Sequence, residues 1–382
     1  MVASFADKPY ALRQFRRIAS YARRSNPFYR TWITDPESPP LLDRATALEH
    51  NDEILNGNEP TGTTSGSIGV PLRYAHSREW NAMAAKDVAR FVGSLGGPLP
   101  TVRILHASSI RPRRTASMNL EVTAGIDEQL EFILRHIGES GAAAITTLPT
   151  NAELLASAVL ERGIDMSSIR RFGTLAETLE PHQRALVAAA FPAARLWSTY
   201  SSMEFGMIAA MCPYEPDFFH LMAHRLGVEV LRDDGTPAPA GEAGAVYVTD
   251  YFNRLSPLIR YELGDLAIRG ECPCGKIELP ALARVLGRVS GTIVNRNGER
   301  VLFSNVSIAL REIPGIRQYQ VIQNSIEGFE AKVSCDHSID AEIHDAFLHS
   351  LGYVPRELVI RYVDSIPRDP SGKYRTSICR IQ

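Results

Sequence analysis

Apolar residues recur at Leu12, Phe15, Ile18, Ala19 and Ala22, with arginines between them. That spacing predicts an amphipathic helix over 11–24, closed by Asn26-Pro27-Phe28-Tyr29-Arg30. Its basic face reads as solvated surface. Helical periodicity returns over 77–93, 151–162 and 181–191. Short runs at 102–108, 142–147 and 169–175 read as buried strands, and 194–199 leads into Tyr200. Strands alternating with helices predict α/β layers with largely parallel sheets.

From about residue 218 the period changes. Val228 and Val230, then Val246 and Val248, alternate on either side of the turn Asp233-Asp234-Gly235, as in a hairpin. A second hairpin is expected over 292–302, because Asn297-Gly298 favours the tight turns that join antiparallel strands. Strands near 318–323 and 329–334, a helix near 340–350 and a strand at 358–363 complete a small unit. The expected fold is α/β. A large N-terminal domain of layered α/β sheets with a β-rich subdomain covers 1–287, and a small α+β C-terminal domain covers 288–382.

The chain has 382 residues, enough for two or three domains, and 45% of them are apolar. The net charge of −2 removes the electrostatic case for nucleic acid as main partner. No apolar run reaches the roughly 18 residues that suggest a membrane span. Residues 1–7 lack the basic-then-apolar layout of a secretion signal, so the expected location is cytoplasmic. Five cysteines in so long a chain do not make a disulfide framework.

For chemistry, the first stretch to consider is Thr64-Ser65-Gly66-Ser67-Ile68-Gly69-Val70-Pro71. Gly66 and Gly69 let a backbone wrap closely around an anion, and successive N–H groups in such a turn form an anion nest. No Gly-Lys-Ser/Thr follows, so this is not a Walker loop. Taken alone, its plainer reading is a flexible Gly/Ser/Thr loop. Three further motifs follow it in order. They are Tyr200-Ser201-Ser202-Met203-Glu204, then Tyr261-Glu262-Leu263-Gly264-Asp265 with Gly287-Arg288, then Ser371-Gly372-Lys373-Tyr374-Arg375.

This ordered set resembles the adenylate-forming superfamily of acyl-CoA synthetases, adenylation domains and luciferases. The first helix with Pro27-Phe28-Tyr29-Arg30 resembles its phenylacetate–CoA ligase-like branch. The resemblance implies an ATP- and Mg²⁺-dependent ligase that activates a small carboxylic acid, expected to be aromatic, as an acyl-AMP. The acyl group is then expected to pass to a thiol, either coenzyme A or carrier-protein phosphopantetheine. An amine is the alternative acceptor, and a nucleotide-binding homologue without turnover is the alternative outside enzymes. An acyl carrier protein and a second copy of the chain are the protein partners this allows; nucleic acid and membrane are not expected.

The resemblance also assigns roles. Thr64, Ser65, Gly66, Ser67 and Gly69 would hold phosphate, and Ala176-Glu177 would lie beside the adenine. Tyr200 and Ser201 would join the ATP site. Glu204 would hold Mg²⁺, a hard cation that takes carboxylate and phosphate oxygens. Asp265 would accept from ribose hydroxyls, and Arg288 would hold ribose or phosphate oxygens from a hinge. Cys212, His220, Cys272 and Cys274 resemble a set in some relatives. Three thiolates and one imidazole make a closed structural Zn²⁺ site, against a plainer reading as four unrelated reduced residues. Cys335 and Cys379 read as structural or incidental. His106, Trp197 and Arg111-Pro112-Arg113-Arg114 read as core histidine, packed tryptophan and solvated loop.

Several positions depart from the family pattern: Ile68, Val70, Leu175, Ser201, Glu262-Leu263 and Ser290-Gly291. Lys373 keeps it, on the small domain that the resemblance makes mobile. Adenylation brings a carboxylate up to an α-phosphate, and a lysine ammonium reaching both offsets their repulsion. Lys373→Ala is expected to slow acyl-adenylate formation by roughly two orders of magnitude or more, with ATP binding weakened much less. Pyrophosphate exchange measures this, and a wild-type rate in the variant would remove Lys373 from the chemistry.

Overall fold

The structure is a computed structural model that describes residues 9–64, 70–106, 117–232, 234–288, 292–298, 300–302, 306, 309–310, 313–366 and 377–381. Of residues 117, 288, 292 and 300–302 it describes the backbone alone. The chain divides into two compact units, Met1–Leu263 with Ala267–Val285 and Gly264–Leu266 with Leu286–Gln382.

In the first unit, the strands Ser117–Glu121, Thr101–Leu105, Ala144–Thr147, Arg171–Thr174 and Arg195–Ser202 lie side by side in that order, all parallel. Their apolar face carries Val102, Ile104, Ile145 and Phe172. It packs against Leu130 and Ile133 of the helix Ile126–Ser140, Leu155 and Val159 of Pro149–Glu161, and Val187 of Pro181–Ala190. Arg195–Ser202 is where the sheet changes direction. On one side it pairs parallel to Arg171–Thr174, and on the other antiparallel to Gly206–Met211. A parallel return needs a crossover of a dozen or more residues, whereas the three-residue turn Met203-Glu204-Phe205 permits only an antiparallel one. The antiparallel part continues through Phe219–Leu221 and Ala281–Arg288. Leu226–Leu231 pairs with Ala243–Asp250, with Val228 opposite Val248 and Val230 opposite Val246.

The helix Pro9–Ser25 buries Phe15, Ile18, Ala19 and Ala22, the stripe read from the sequence. Asn26 does more than end it. Its side chain accepts from Tyr29 N, so it caps a second helix, Pro27–Trp32, and it donates to Ile54 O at 2.9 Å. Elements of the first unit that go unread in the sequence include Ser117–Glu121, Gly206–Met211 and Ile126–Ser140. The helical signal for the last is present, since Ile126, Leu130, Ile133 and Ile137 follow helical spacing.

The second unit holds a sheet ordered Glu357–Tyr362, Gly328–Ser334, Gln318–Ser325, Ser377–Cys379. The helix Asp340–Leu351 buries Ile343 and Phe347, the latter edge-on to Phe329 with ring centroids 5.5 Å apart. The hairpin Thr292–Val294 with Arg300–Leu302 is tied in by the buried Gln323, which donates to Val294 O and accepts from Val294 N. Lys373 and the rest of its motif lie outside the described residues, as do Ser65, Gly66, Ser67, Gly69 and the side chain of Arg288.

Candidate active site and cysteine–histidine cluster

The short strands Gly62–Thr63 and Arg73–Tyr74 pair antiparallel and form the stem that brackets residues 65–69. Thr64 closes it: its N–H donates to Leu72 O at 2.9 Å, and its buried hydroxyl accepts from Leu72 N at 3.0 Å. The stem can be this tight because position 62 is glycine. A Cβ there would stand 2.3 Å from the Tyr74 hydroxyl.

Ala176 and Glu177 follow the buried strand Arg171–Thr174. Ala176 has φ +71°, a left-handed conformation that a non-glycine residue adopts at a cost. The Glu177 carboxylate helps to fix that turn. It accepts from Thr150 N at 3.2 Å and Thr150 Oγ1 at 2.8 Å, in the first turn of the helix Pro149–Glu161. That helix starts at Leu148, which offers no capping side chain. Glu177 supplies the missing acceptor and a negative charge at the positive helix end.

Tyr200 and Ser201 sit at a bulge near the end of Arg195–Ser202. The Glu204 residue is 4% exposed in the turn that follows. The Ser202 hydroxyl accepts from Phe205 N at 3.3 Å, Gly206 turns at φ +64°, and Arg225 Nη2 donates to Met207 O at 2.8 Å. His76 Nε2 lies 2.8 Å from Glu204 O, so this nitrogen carries the proton and donates. The His76 ring stacks on Trp80, with centroids 3.5 Å apart and planes 10° apart. Trp80 Nε1 donates to Asp250 Oδ2 at 2.6 Å, and Arg225 lies over the indole at 5.2 Å.

Arg225 is 1% exposed and sits between two buried carboxylates. Its Nε donates to Asp87 Oδ2 at 2.9 Å, and Nη1 is 3.5 Å from Asp250 Oδ2. His224 Nε2 lies 2.6 Å from the other Asp87 oxygen. Burial pulls the Asp87 pKa upward, but hydrogen bonds from His224 and Arg225, with their charges, outweigh it and hold it below the ordinary value. At Asp250 burial prevails and pushes the carboxyl up, despite Arg225, Trp80 and two backbone N–H donors. His76, Asp87, Arg225 and Asp250 were not singled out from the sequence. Their partners lie as far as 170 residues away, so no local spacing marks them.

Asp265 lies in the strand Tyr261–Gly270, directly after Gly264 at φ +77°. The division between the two units falls inside this motif: Tyr261–Leu263 belong to the first, and Gly264-Asp265-Leu266 to the second.

The four sequence-nominated metal candidates come together. The ligand atoms of Cys212, His220, Cys272 and Cys274 all lie within 4.8 Å of one another. The end of Gly206–Met211 and its neighbour Phe219–Leu221 supply Cys212 and His220, and the connection before Ala281–Arg288 supplies the other two. His220 Nδ1 is 3.1 Å from Leu279 O and donates to it, which leaves Nε2 as a lone-pair donor 3.7 Å from Cys274 Sγ. Metal-binding imidazoles are commonly oriented in this way. Backbone N–H groups of Lys276 and Ile277, with Cys272 and His220, lower the Cys274 pKa to about 6. Burial, with the neighbouring Cys274 and Cys212 sulfurs, pushes Cys272 up to about 12. A thiol that readily ionises beside one that resists a second negative charge is a donor set that a divalent cation would complete.

Comparisons with known proteins agree with this architecture. The family described as CapK C-terminal domain matches residues 293–379. A phenylacetate–coenzyme A ligase from Thermus thermophilus is 22% identical over 374 residues, covering 86% of this chain and 82% of the ligase. The 2-hydroxyisobutyryl-CoA ligase, solved in the postadenylation state with an acyl-AMP, superposes with a TM-score of 0.70 at 19% identity, covering 99% of this chain and 90% of that one. The amide bond synthetase McbA from Marinactinospora thermotolerans matches with a TM-score of 0.58 at 22% identity, over 82% of this chain and 66% of that one.

The buried Arg225 cluster makes a stability prediction. Arg225→Met leaves two buried carboxylates without their shared cation, a loss of about 3–5 kcal/mol for breaking a buried pair. Urea unfolding of the purified variant is expected to show it as a lower midpoint. A midpoint equal to wild type would mean that Arg225 does not hold this region together.

Proposed function

The chain belongs to the adenylate-forming superfamily, as a distant homologue of phenylacetate–CoA ligase, and from that premise we propose that it activates a small carboxylic acid as an acyl-AMP and passes the acyl group to a thiol. The observation that carries this reading is the fold match over 99% of the chain to a ligase solved with its acyl-adenylate. In this reading ATP phosphates bind at the Thr64 stem, the adenine lies along the Ala176-Glu177 turn near Tyr200 and Ser201, and Asp265 takes the ribose hydroxyls. The Glu204 carboxylate, an oxygen donor set in a braced turn, would hold Mg²⁺, which neutralises phosphate charge when bound. Lys373 offsets the charge between the two reacting anions. Half-buried Trp197 fits over Gly173, where a Cβ would stand 2.2 Å from the indole, and packs edge-on to Phe91. That aromatic surface on the parallel sheet favours an aromatic acid.

A second reading keeps adenylation and sends the acyl group to an amine; the likeness to McbA favours it. ATP–pyrophosphate exchange across a panel of aryl and alkyl acids is expected to be fastest with an aryl acid. No exchange with any acid, together with intact ATP binding, would leave a nucleotide-binding homologue without turnover. Adding coenzyme A to the preformed acyl-AMP is expected to give a thioester by mass. A thioester formed only with a carrier protein would change the acceptor, and an amide formed only with an amine would establish the second reading.

In the cysteine–histidine cluster, we propose structural Zn²⁺ with Cys212, His220, Cys272 and Cys274 as its four ligands. A closed site of this kind contributes folding free energy directly. Elemental analysis of the purified chain is expected to find about one zinc, the load of one four-ligand site. Cys272→Ser is expected to lower both zinc content and melting temperature. A metal-free protein of unchanged stability would refute the site.

A further inference from the structure

We propose that Arg44 is a phosphate-binding cation of the nucleotide site, a role that rests on the adenylation reading above. From Thr64 to Val70 the chain contains no lysine or arginine. A polyphosphate bound at the Thr64 stem would find no positive charge in this stretch. The structure brings one in from another part of the chain.

Arg44 opens the short helix Arg44–Glu49, and its position is fixed from both sides. The preceding Leu42 joins the edge of the strand Tyr261–Gly270: Leu42 N donates to Arg260 O at 3.0 Å, and Glu262 N donates to Leu42 O at 2.9 Å. Asp43 is occupied as the cap of that helix, accepting from Thr46 N at 2.7 Å and Thr46 Oγ1 at 3.0 Å. The half-buried guanidinium then spans three groups. Nη1 donates to Tyr261 Oη at 3.2 Å, and Nη2 donates to Thr64 Oγ1 and Val70 O, both at 3.3 Å. It therefore touches both ends of the phosphate stem and the first residue of the ribose motif.

All three acceptors are neutral, and among the described residues no carboxylate pairs with Arg44. Other arginines of this unit are paired: Arg225 with Asp87, Arg232 with Glu242 and Arg260 with Glu229. A guanidinium has five N–H donors, so three long bonds leave donors for phosphate oxygens, its favoured anionic partner. Arg73 of the stem is paired with Asp52 at 2.5 Å, so Arg44 supplies the charge that the 64–70 stretch lacks.

The test separates charge from propping. Calorimetry would measure ATP and adenosine binding to wild type, Arg44→Gln and Arg44→Lys. Glutamine keeps a polar amide at this position but carries no charge. Arg44→Gln is expected to weaken ATP roughly 10- to 100-fold, the effect of losing charge-assisted bonds, and to leave adenosine binding unchanged. Arg44→Lys is expected to recover part of the ATP affinity, because the charge returns without the fork. ATP affinity unchanged in Arg44→Gln would overturn the proposal. So would ATP and adenosine affinity falling in parallel, which would make Arg44 a prop for the stem. A wild-type chain that binds neither ATP nor adenosine would instead overturn the adenylation reading, and this proposal with it.

Discussion

A single buried guanidinium organises the centre of the first unit. Arg225 has almost no exposure, and it sits between two carboxylates from distant segments. Taking three charges out of water costs several kcal/mol per ion, which is recovered only if geometry and hydrogen bonding are nearly complete. Asp87, Asp250, Trp80 and the carbonyl of Met207 surround the cation, and backbone N–H groups satisfy the second Asp250 oxygen, while Arg225 Nη1 has only its 3.5 Å ion pair with Asp250. The helix Arg78–Ser94, the end of Ala243–Asp250 and the start of Gly206–Met211 are thereby fixed to one another.

That constraint reaches the candidate active site through packed rings. Trp80 is oriented by Asp250 and Arg225, His76 lies flat on Trp80, and His76 holds the Glu204 carbonyl. The turn that presents Glu204 is braced by groups far away in sequence. The Ala176-Glu177 turn is braced differently, by a carboxylate serving as the cap that a neighbouring helix lacks. In both cases a site residue is placed by satisfying a polar group that burial would otherwise penalise.

The sequence by itself determined the α/β class and the order of most elements. Periodicities of 3.6 and 2 reflect which face each segment must bury, and that information is local. The Phe15-Ile18-Ala22 stripe, the Val228/Val230 and Val246/Val248 pairs and the Asn297-Gly298 turn all emerge in their expected elements. The family resemblance likewise nominated Thr64, Glu177, Glu204 and the four cysteine–histidine positions. Only the tertiary structure decided what surrounds them. It gathered four candidate ligand atoms from two segments, set Arg225 between Asp87 and Asp250, and set Arg44 across the Thr64 stem. Those arrangements depend on contacts between residues from tens to more than a hundred positions apart, and a linear pattern carries no distance between segments that meet only when the core closes.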